Sequence, residues 1–266
     1  MKKGFTLAEV LITLGVIGVV AALTMPTLID RYNKKVWVNQ LKKSYSIVEQ
    51  GFQKMMADEE VFDLSNVSVF SALSSNKNVS CSASYTENGE ICQPILQHVK
   101  KYFKGEYGVL GHDIYTFDKS EKLVSKDRGI YQLPDGTQID FYFSDFASPN
   151  DCKTIKENGG HICKRLGFSM IDINGKKGPN LIGRDVFYFT IGEDGKLYPS
   201  NGIDDALICD IPQINGNIFY WRNIDYYCGK PNMLIHHNAK NDLGFLGVSG
   251  EGCAARIMEN GWVMDY

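Results

Sequence analysis

Residues Phe5 to Met25 limit more than any others what this chain can become. Of these 21 residues 15 are hydrophobic, three are Thr, two are Gly and one, Glu9, is a carboxylate. As a helix rising about 1.5 Å per residue the run is roughly 30 Å long, enough to cross the hydrocarbon core of a bilayer. A charge inside such a span costs about 2.5–3.5 kcal/mol on insertion scales, so Glu9 needs a route to the surface or a partner. A glutamate near one end of the span can snorkel to the headgroups. The leader Met1-Lys2-Lys3-Gly4 offers a second answer, because a cut after Gly4 would give Phe5 a free α-amine. That ammonium and the Glu9 carboxylate, four residues apart on one helix face, can also pair between axially shifted copies. Opposite charges in hydrocarbon are far better paired than apart, so the residues point to self-assembly of helices.

The segment Lys2-Lys3-Gly4 followed by Phe5-Thr6-Leu7-Ala8-Glu9-Val10-Leu11-Ile12-Thr13-Leu14 resembles the N-terminal cleavage and methylation signature of type IV prepilins and type II secretion pseudopilins, over residues 2–26. The resemblance implies cleavage between Gly4 and Phe5 by a prepilin peptidase that also methylates the Phe5 amine. It implies that Glu9 guides docking of an incoming subunit and that Pro26 is a helix-kinking proline. Its partners would be other copies, related pilins or pseudopilins, the peptidase and an inner-membrane assembly platform. The product would be a non-enzymatic filament subunit, made as a single-pass inner-membrane precursor with its head in the periplasm and then drawn into a periplasmic or cell-surface filament. Charge alone does not set that orientation, since Arg31, Lys34 and Lys35 flank the far side of the span as Lys2 and Lys3 flank the near side.

The rest of the chain suits a membrane-tethered head. A length of 266 residues with 44% hydrophobic and 22% charged content supports a core and one or two domains. The formal charge of −3 becomes −5 once Lys2 and Lys3 leave with the leader, which argues against nucleic-acid binding by the head as a whole outside a DNA-uptake pilus. Seven cysteines, at 81, 92, 152, 163, 209, 228 and 253, include no C-x-x-C pair, so behind an export signal they read as disulfides. Cys81 with Cys92 and Cys152 with Cys163 each bracket ten residues, loops whose closure contributes about 2–3 kcal/mol each. Cys209, Cys228 and Cys253 leave one bond and one odd thiol, and spacing does not choose among them.

Beyond the 1–4 leader and the 5–25 span, the apolar period continues through residues 26–57. Ile29, Tyr32, Val36, Leu41, Tyr45, Val48, Phe52 and Met55 recur three to five apart, with Lys34, Lys35, Lys42, Lys43 and Glu49 between them. One long helix from Phe5 to about Ala57 is expected, kinked or locally melted at Pro26. Residues 58–128 read as a variable connecting region with at most one short helix near Val67–Leu73, and a helix over Ile95–Phe103. Residues 129–266 carry the strands. Ile130–Leu133 and Gln138–Phe143 flank a Pro134-Asp135-Gly136 turn, followed by Phe168–Ile173, Asp185–Ile191 and Lys196–Tyr198. Four or five sequential antiparallel strands, with one face on the helix and one in water, give an α+β, pilin-like architecture.

Asp172-Ile173-Asn174-Gly175-Lys176-Lys177-Gly178-Pro179-Asn180, with Gly183, Asp185 and Phe187, resembles a motif in pseudopilin-like heads, and Cys253 to Trp262 resembles their closing segment. Asp172 and Asn174 open like a calcium loop, but two lysines follow where oxygen ligands are wanted. The reading is therefore a turn with no cofactor, calcium being the one ion to consider. The resemblance to calcium-binding major pseudopilins adds Asp204, Asp205 and Asp242. No G-x-S-x-G, H-E-x-x-H, P-loop or G-x-G-x-x-G occurs, and the adjacent His236 and His237 read as a solvated turn. The rival reading is an ordinary signal peptide cut after Ala22, releasing a soluble, disulfide-bonded binding protein. Glu9 interrupts its h-region, and the apolar face runs on past the supposed cut.

Overall fold

A computed structural model of the chain describes residues 6–71, 73, 80–82, 89–110, 112–117, 119, 122–124, 129–144, 161–163, 165–199, 208–210, 228, 250 and 252–266. The apolar run and the amphipathic segment after it are one helix, α1 (Leu7–Asp58), of 52 residues, which passes through Pro26 without interruption. It starts two residues later than the expected Phe5. Pro26 withholds one backbone donor, and the turns on either side carry the helix across.

The two halves of α1 have different surroundings. From Leu7 to Ile29 its large hydrophobic side chains are 41–77% exposed. From Val38 onward a stripe turns inward, comprising Val38, Leu41, Ser44, Val48, Gly51, Phe52, Met55 and Met56. Steps of one to four residues along this list keep one face of a 3.6-residue period under the head. Ile29 and Tyr32, expected on that stripe, stay exposed, because the head reaches back only to the mid-thirties of the helix.

The head is built on a seven-stranded sheet. At its centre β5 (Gly129–Gln132), β6 (Gln138–Ser144), β8 (Arg165–Asp172), β9 (Val186–Gly192) and β10 (Leu197–Pro199) pair antiparallel in sequential order. This is the meander expected from the turn signals. Beyond β5 lies β2 (Glu106–Leu110), and β1 (Ser80–Ser82) pairs the end of β6, past the stretch that β5 covers. Two short pairs stand apart, β3 (Ile114–Tyr115) with β4 (Lys122–Val124) and β7 (His161–Cys163) with β11 (Ile208–Asp210).

Residues 58–128 are therefore more than a connection, since they supply two strands of the main sheet. They also supply a helix, α2 (Gly89–Lys100), which begins six residues before the expected Ile95. Sequence favoured a start just after Pro94, but the Cys81–Cys92 disulfide fastens the preceding turn to β1. Ile95, Val99 and the following Phe103 then enter the same core as Phe52.

That core is aromatic. The Phe52 ring lies 5.7 Å from those of Phe103 and Phe141 and 6.3 Å from Phe143, all near edge-on, the arrangement that aromatic quadrupoles favour. Leu41, Val48 and Met55 extend the contact along Ile139, Phe187 and Phe189. The opposite face of the sheet is also covered, contrary to the expectation of a solvated face. Every residue of β9 is buried, because Ile114 and Ile182 pack over Met170, Val186 and Tyr188. The alternation in sequence was blurred by aromatic and polar residues that are buried as well.

The helix also closes the edge of the sheet. Tyr45 donates from its hydroxyl to the Leu197 carbonyl at 3.0 Å, and the Glu49 carboxylate accepts the Leu197 N–H at 3.0 Å. Gln53 donates to the Asp194 carbonyl at 2.7 Å. These three side chains, spaced by four, form one stripe that satisfies both backbone groups of Leu197 in the edge strand β10 and one carbonyl of the turn before it, at a position that otherwise invites pairing with another chain.

Gly51 permits this packing. A Cβ there would lie 2.4 Å from the Phe103 ring, which is itself hemmed in by Phe52, Tyr131 and Phe141. Gly51→Ala would gain about 1 kcal/mol in helix propensity, but overpacking costs roughly 1–3 kcal/mol. The expected outcome is a lower denaturation midpoint for the head, followed by near-UV circular dichroism in urea. An unchanged or raised midpoint would show that the ring has room to move.

Candidate functional site

At the start of α1 the carboxylate inside the apolar span is not bare. Thr6 is the N-cap, in extended conformation, and its backbone N–H and hydroxyl each donate to Glu9 Oε2 at 2.8 Å. The Glu9 N–H in turn donates to Thr6 Oγ1 at 3.3 Å. This reciprocal capping box satisfies two backbone donors that an apolar medium would leave orphaned, and the helix dipole favours a carboxylate in the first turn. The Thr6-x-x-Glu9 spacing of this box is legible in the sequence itself. Gly4 and Phe5 lie outside the described residues.

Around Glu9, Leu7, Val10, Leu11, Ile12, Leu14, Val16 and Ile17 are all exposed. An apolar surface running unbroken around more than five turns of helix is not stable in water, so it requires lipid or other protein. The helix is long and apolar enough to cross a membrane.

In the head, the Asp172–Asn180 motif forms a tight turn behind β8. Asp172 Oδ1 accepts the N–H groups of Asn174 at 3.1 Å and Gly175 at 2.7 Å, while Oδ2 lies 2.7 Å from His112 Nε2. Asp172 Oδ1 is therefore engaged by backbone donors, while Oδ2 is held in close charge contact with the His112 ring. Asp185 similarly accepts the N–H groups of Asn180 at 2.8 Å and Leu181 at 2.7 Å. Among the described residues no group of three or more His, Cys, Asp or Glu side chains is arranged to hold a metal ion. The carboxylates fold the turn, a use to which calcium would have to be alternative. Asp204, Asp205, Asp242, His236 and His237 lie outside the described residues.

The motif meets the C-terminal closing segment directly. Gly183, at φ +80°, approaches Cys253 Sγ and the Gly250 carbonyl so closely that a Cβ would lie 2.6 Å from each. Tyr266 donates to the Gly183 carbonyl at 2.7 Å. Cys253 opens α3 (Cys253–Glu259) and is bonded to Cys228. Of the trio that spacing left open, these two are the pair. Cys81 and Cys92 are bonded as well. Cys152 and the side chains of Cys163 and Cys209 lie outside the described residues.

Electrostatics tie the buried turn to pH. Burial pushes the Asp185 carboxyl up to about 6, against the backbone donors of Leu181 and Asn180. Burial is the largest influence on His112 and would lower it, but the hydrogen bonding and charge of Asp172, with Gln138 and the charge of Asp185, together hold the imidazole above its ordinary 6.5. Burial also raises Asp172, so the His112–Asp172 pair keeps its proton more firmly in the folded head than in the unfolded chain. Groups raised on folding stabilise the native state below their unfolded values and lose that contribution as pH rises through the folded ones. Asp185 therefore loses its share between its ordinary 3.8 and about 6, and His112 above 6.5. His98, lowered chiefly by burial, acts in the opposite sense. His112→Gln is thus expected to lessen the fall in head stability between about pH 5.5 and pH 8, measured by urea unfolding at fixed ionic strength. An identical slope in the variant would remove the pair from the account.

No curated protein and no solved structure matches the chain. Residues 1–25 match one family model, described as the prokaryotic N-terminal methylation motif. That motif spans the Thr6–Glu9 box and much of the exposed apolar half of α1, so the N terminus of this chain carries the signature of type IV prepilins and pseudopilins.

Proposed function

We propose that this chain is a structural, non-enzymatic subunit of a type IV pilus-like or type II secretion pseudopilus filament, processed after Gly4 and assembled through α1. The observation that carries the reading is the division of α1, whose first half exposes thirteen large aliphatic side chains from Leu7 to Ile29 while its second half is locked into the head. Such a subunit waits in the inner membrane with its head on the periplasmic side. It is then drawn out as those side chains exchange lipid for the helices of neighbouring copies. Burying each Leu, Ile or Val contributes about 1.5–3 kcal/mol, and a head-to-tail contact of this kind propagates without closing.

In this mechanism Glu9 changes partner. Before assembly Thr6 holds the carboxylate, and in the filament the methylated Phe5 amine of an adjacent copy takes its place. Exchange leaves no unpaired charge in the apolar core at either stage. Release as a soluble protein by a cut after Ala22 has less support, because α1 is continuous through that position.

Mass spectrometry of the mature N terminus tests the processing step, with N-methyl-Phe5 expected and Leu23 opposing it. Glu9→Ala tests the assembly step. Membrane insertion is expected to persist, while filament incorporation, counted in sheared surface fractions, falls by at least about tenfold, the equivalent of one lost charge pair worth about 1.4 kcal/mol or more. Normal incorporation of the variant would refute the exchange of partners.

A further inference from the structure

Where α1 leaves its lipid-exposed stretch it passes the C-terminal segment, and the two enclose an open cleft of about 500 Å³. The helix wall carries Arg31, Lys34 and Lys35, and the opposite wall Trp262, Val263 and Asp265. The three cations begin two residues beyond Ile29, the end of the exposed aliphatic run. At 1.5 Å per residue they lie about 3–9 Å past it along the axis. The headgroup layer on each side of the hydrocarbon is about 5–7 Å thick, so Arg31 stands within it and Lys34 and Lys35 at its outer margin, from which long side chains reach back to the lipid phosphates.

Its charges are arranged for an anion. Lys34 is paired with Asp30 at 2.9 Å. The one acid on the walls, Asp265, is held in a fork by Arg256 at 2.7 and 3.0 Å. No carboxylate among the described residues pairs with Arg31 or Lys35. Trp262 and the 54% exposed Val263 complete the rim, and an indole beside an aliphatic side chain suits the boundary between headgroups and acyl chains.

Resting on the membrane-anchored reading above, we infer that this cleft binds the headgroup phosphate of an anionic phospholipid in the leaflet beneath the head. Arg31 and Lys35 supply the charge, and Trp262 seats the glycerol end. The site is filled while the subunit waits in the bilayer and emptied when it is withdrawn.

The test uses the full-length chain in nanodiscs of phosphatidylcholine, with or without phosphatidylglycerol. Insertion is read separately, from protease protection of the span. Lipid retained after transfer to neutral detergent is counted by native mass spectrometry. The wild type is expected to retain phosphatidylglycerol over phosphatidylcholine by about tenfold or more, and Arg31→Gln with Lys35→Gln to abolish the preference. Lys43→Gln, on the same helix but paired with Asp135 at 2.7 Å, is expected to leave it intact. Equal retention of both lipids by an inserted wild type, or an equal loss in Lys43→Gln, overturns the site. Retention of added inorganic phosphate as firmly as phosphatidylglycerol overturns the lipid assignment in favour of a free anion. Crosslinking of a second copy into the cleft within phosphatidylglycerol discs overturns it in favour of a protein partner. Failure to insert refutes instead the membrane reading beneath it.

Discussion

The grip of the second half of α1 on the sheet is the interaction on which the rest of the molecule depends. Phe52 supplies the centre of the aromatic core, and Tyr45, Glu49 and Gln53 bond the backbone of Leu197 and of the β9–β10 turn. Core burial provides the non-directional part of the attachment, and the hydrogen-bonded stripe fixes its register. With both in place the head cannot slide along or rotate about the helix. The unattached half can then be apolar on all sides without competing for the core.

The same division explains how an acid survives in the span. Glu9 is placed where a helix needs an acceptor, at the N3 position of a capping box, so the carboxylate is satisfied within its own helix. Behind β8, Asp172 and Asp185 are likewise consumed by the turn they shape.

Much of this was legible beforehand. The long helix, the hairpin at Pro134-Asp135-Gly136 and the order of the central strands follow from periodicity and turn chemistry, which act locally. What was not legible depended on contacts distant in sequence. Residues Ser80–Ser82 are too few and too polar to announce a strand, and they become one only because β6 offers a free edge where β5 stops. The start of α2 was displaced by a disulfide rather than by propensity. Glu49 looked like one more solvent-facing charge on the helix, and nothing local shows that it meets the Leu197 amide 148 residues away. At the N terminus the capping box, by contrast, is written in the four residues from Thr6 to Glu9.

One mechanical consequence follows from the stripe at Tyr45, Glu49 and Gln53. The three bonds sit on successive turns of the helix, so tension drawn along the rod loads them in shear and shares itself among them. They must yield nearly together, whereas a row peeled from one end would fail one link at a time. A head fastened in this manner withstands pulling along the helix axis better than twisting away from it.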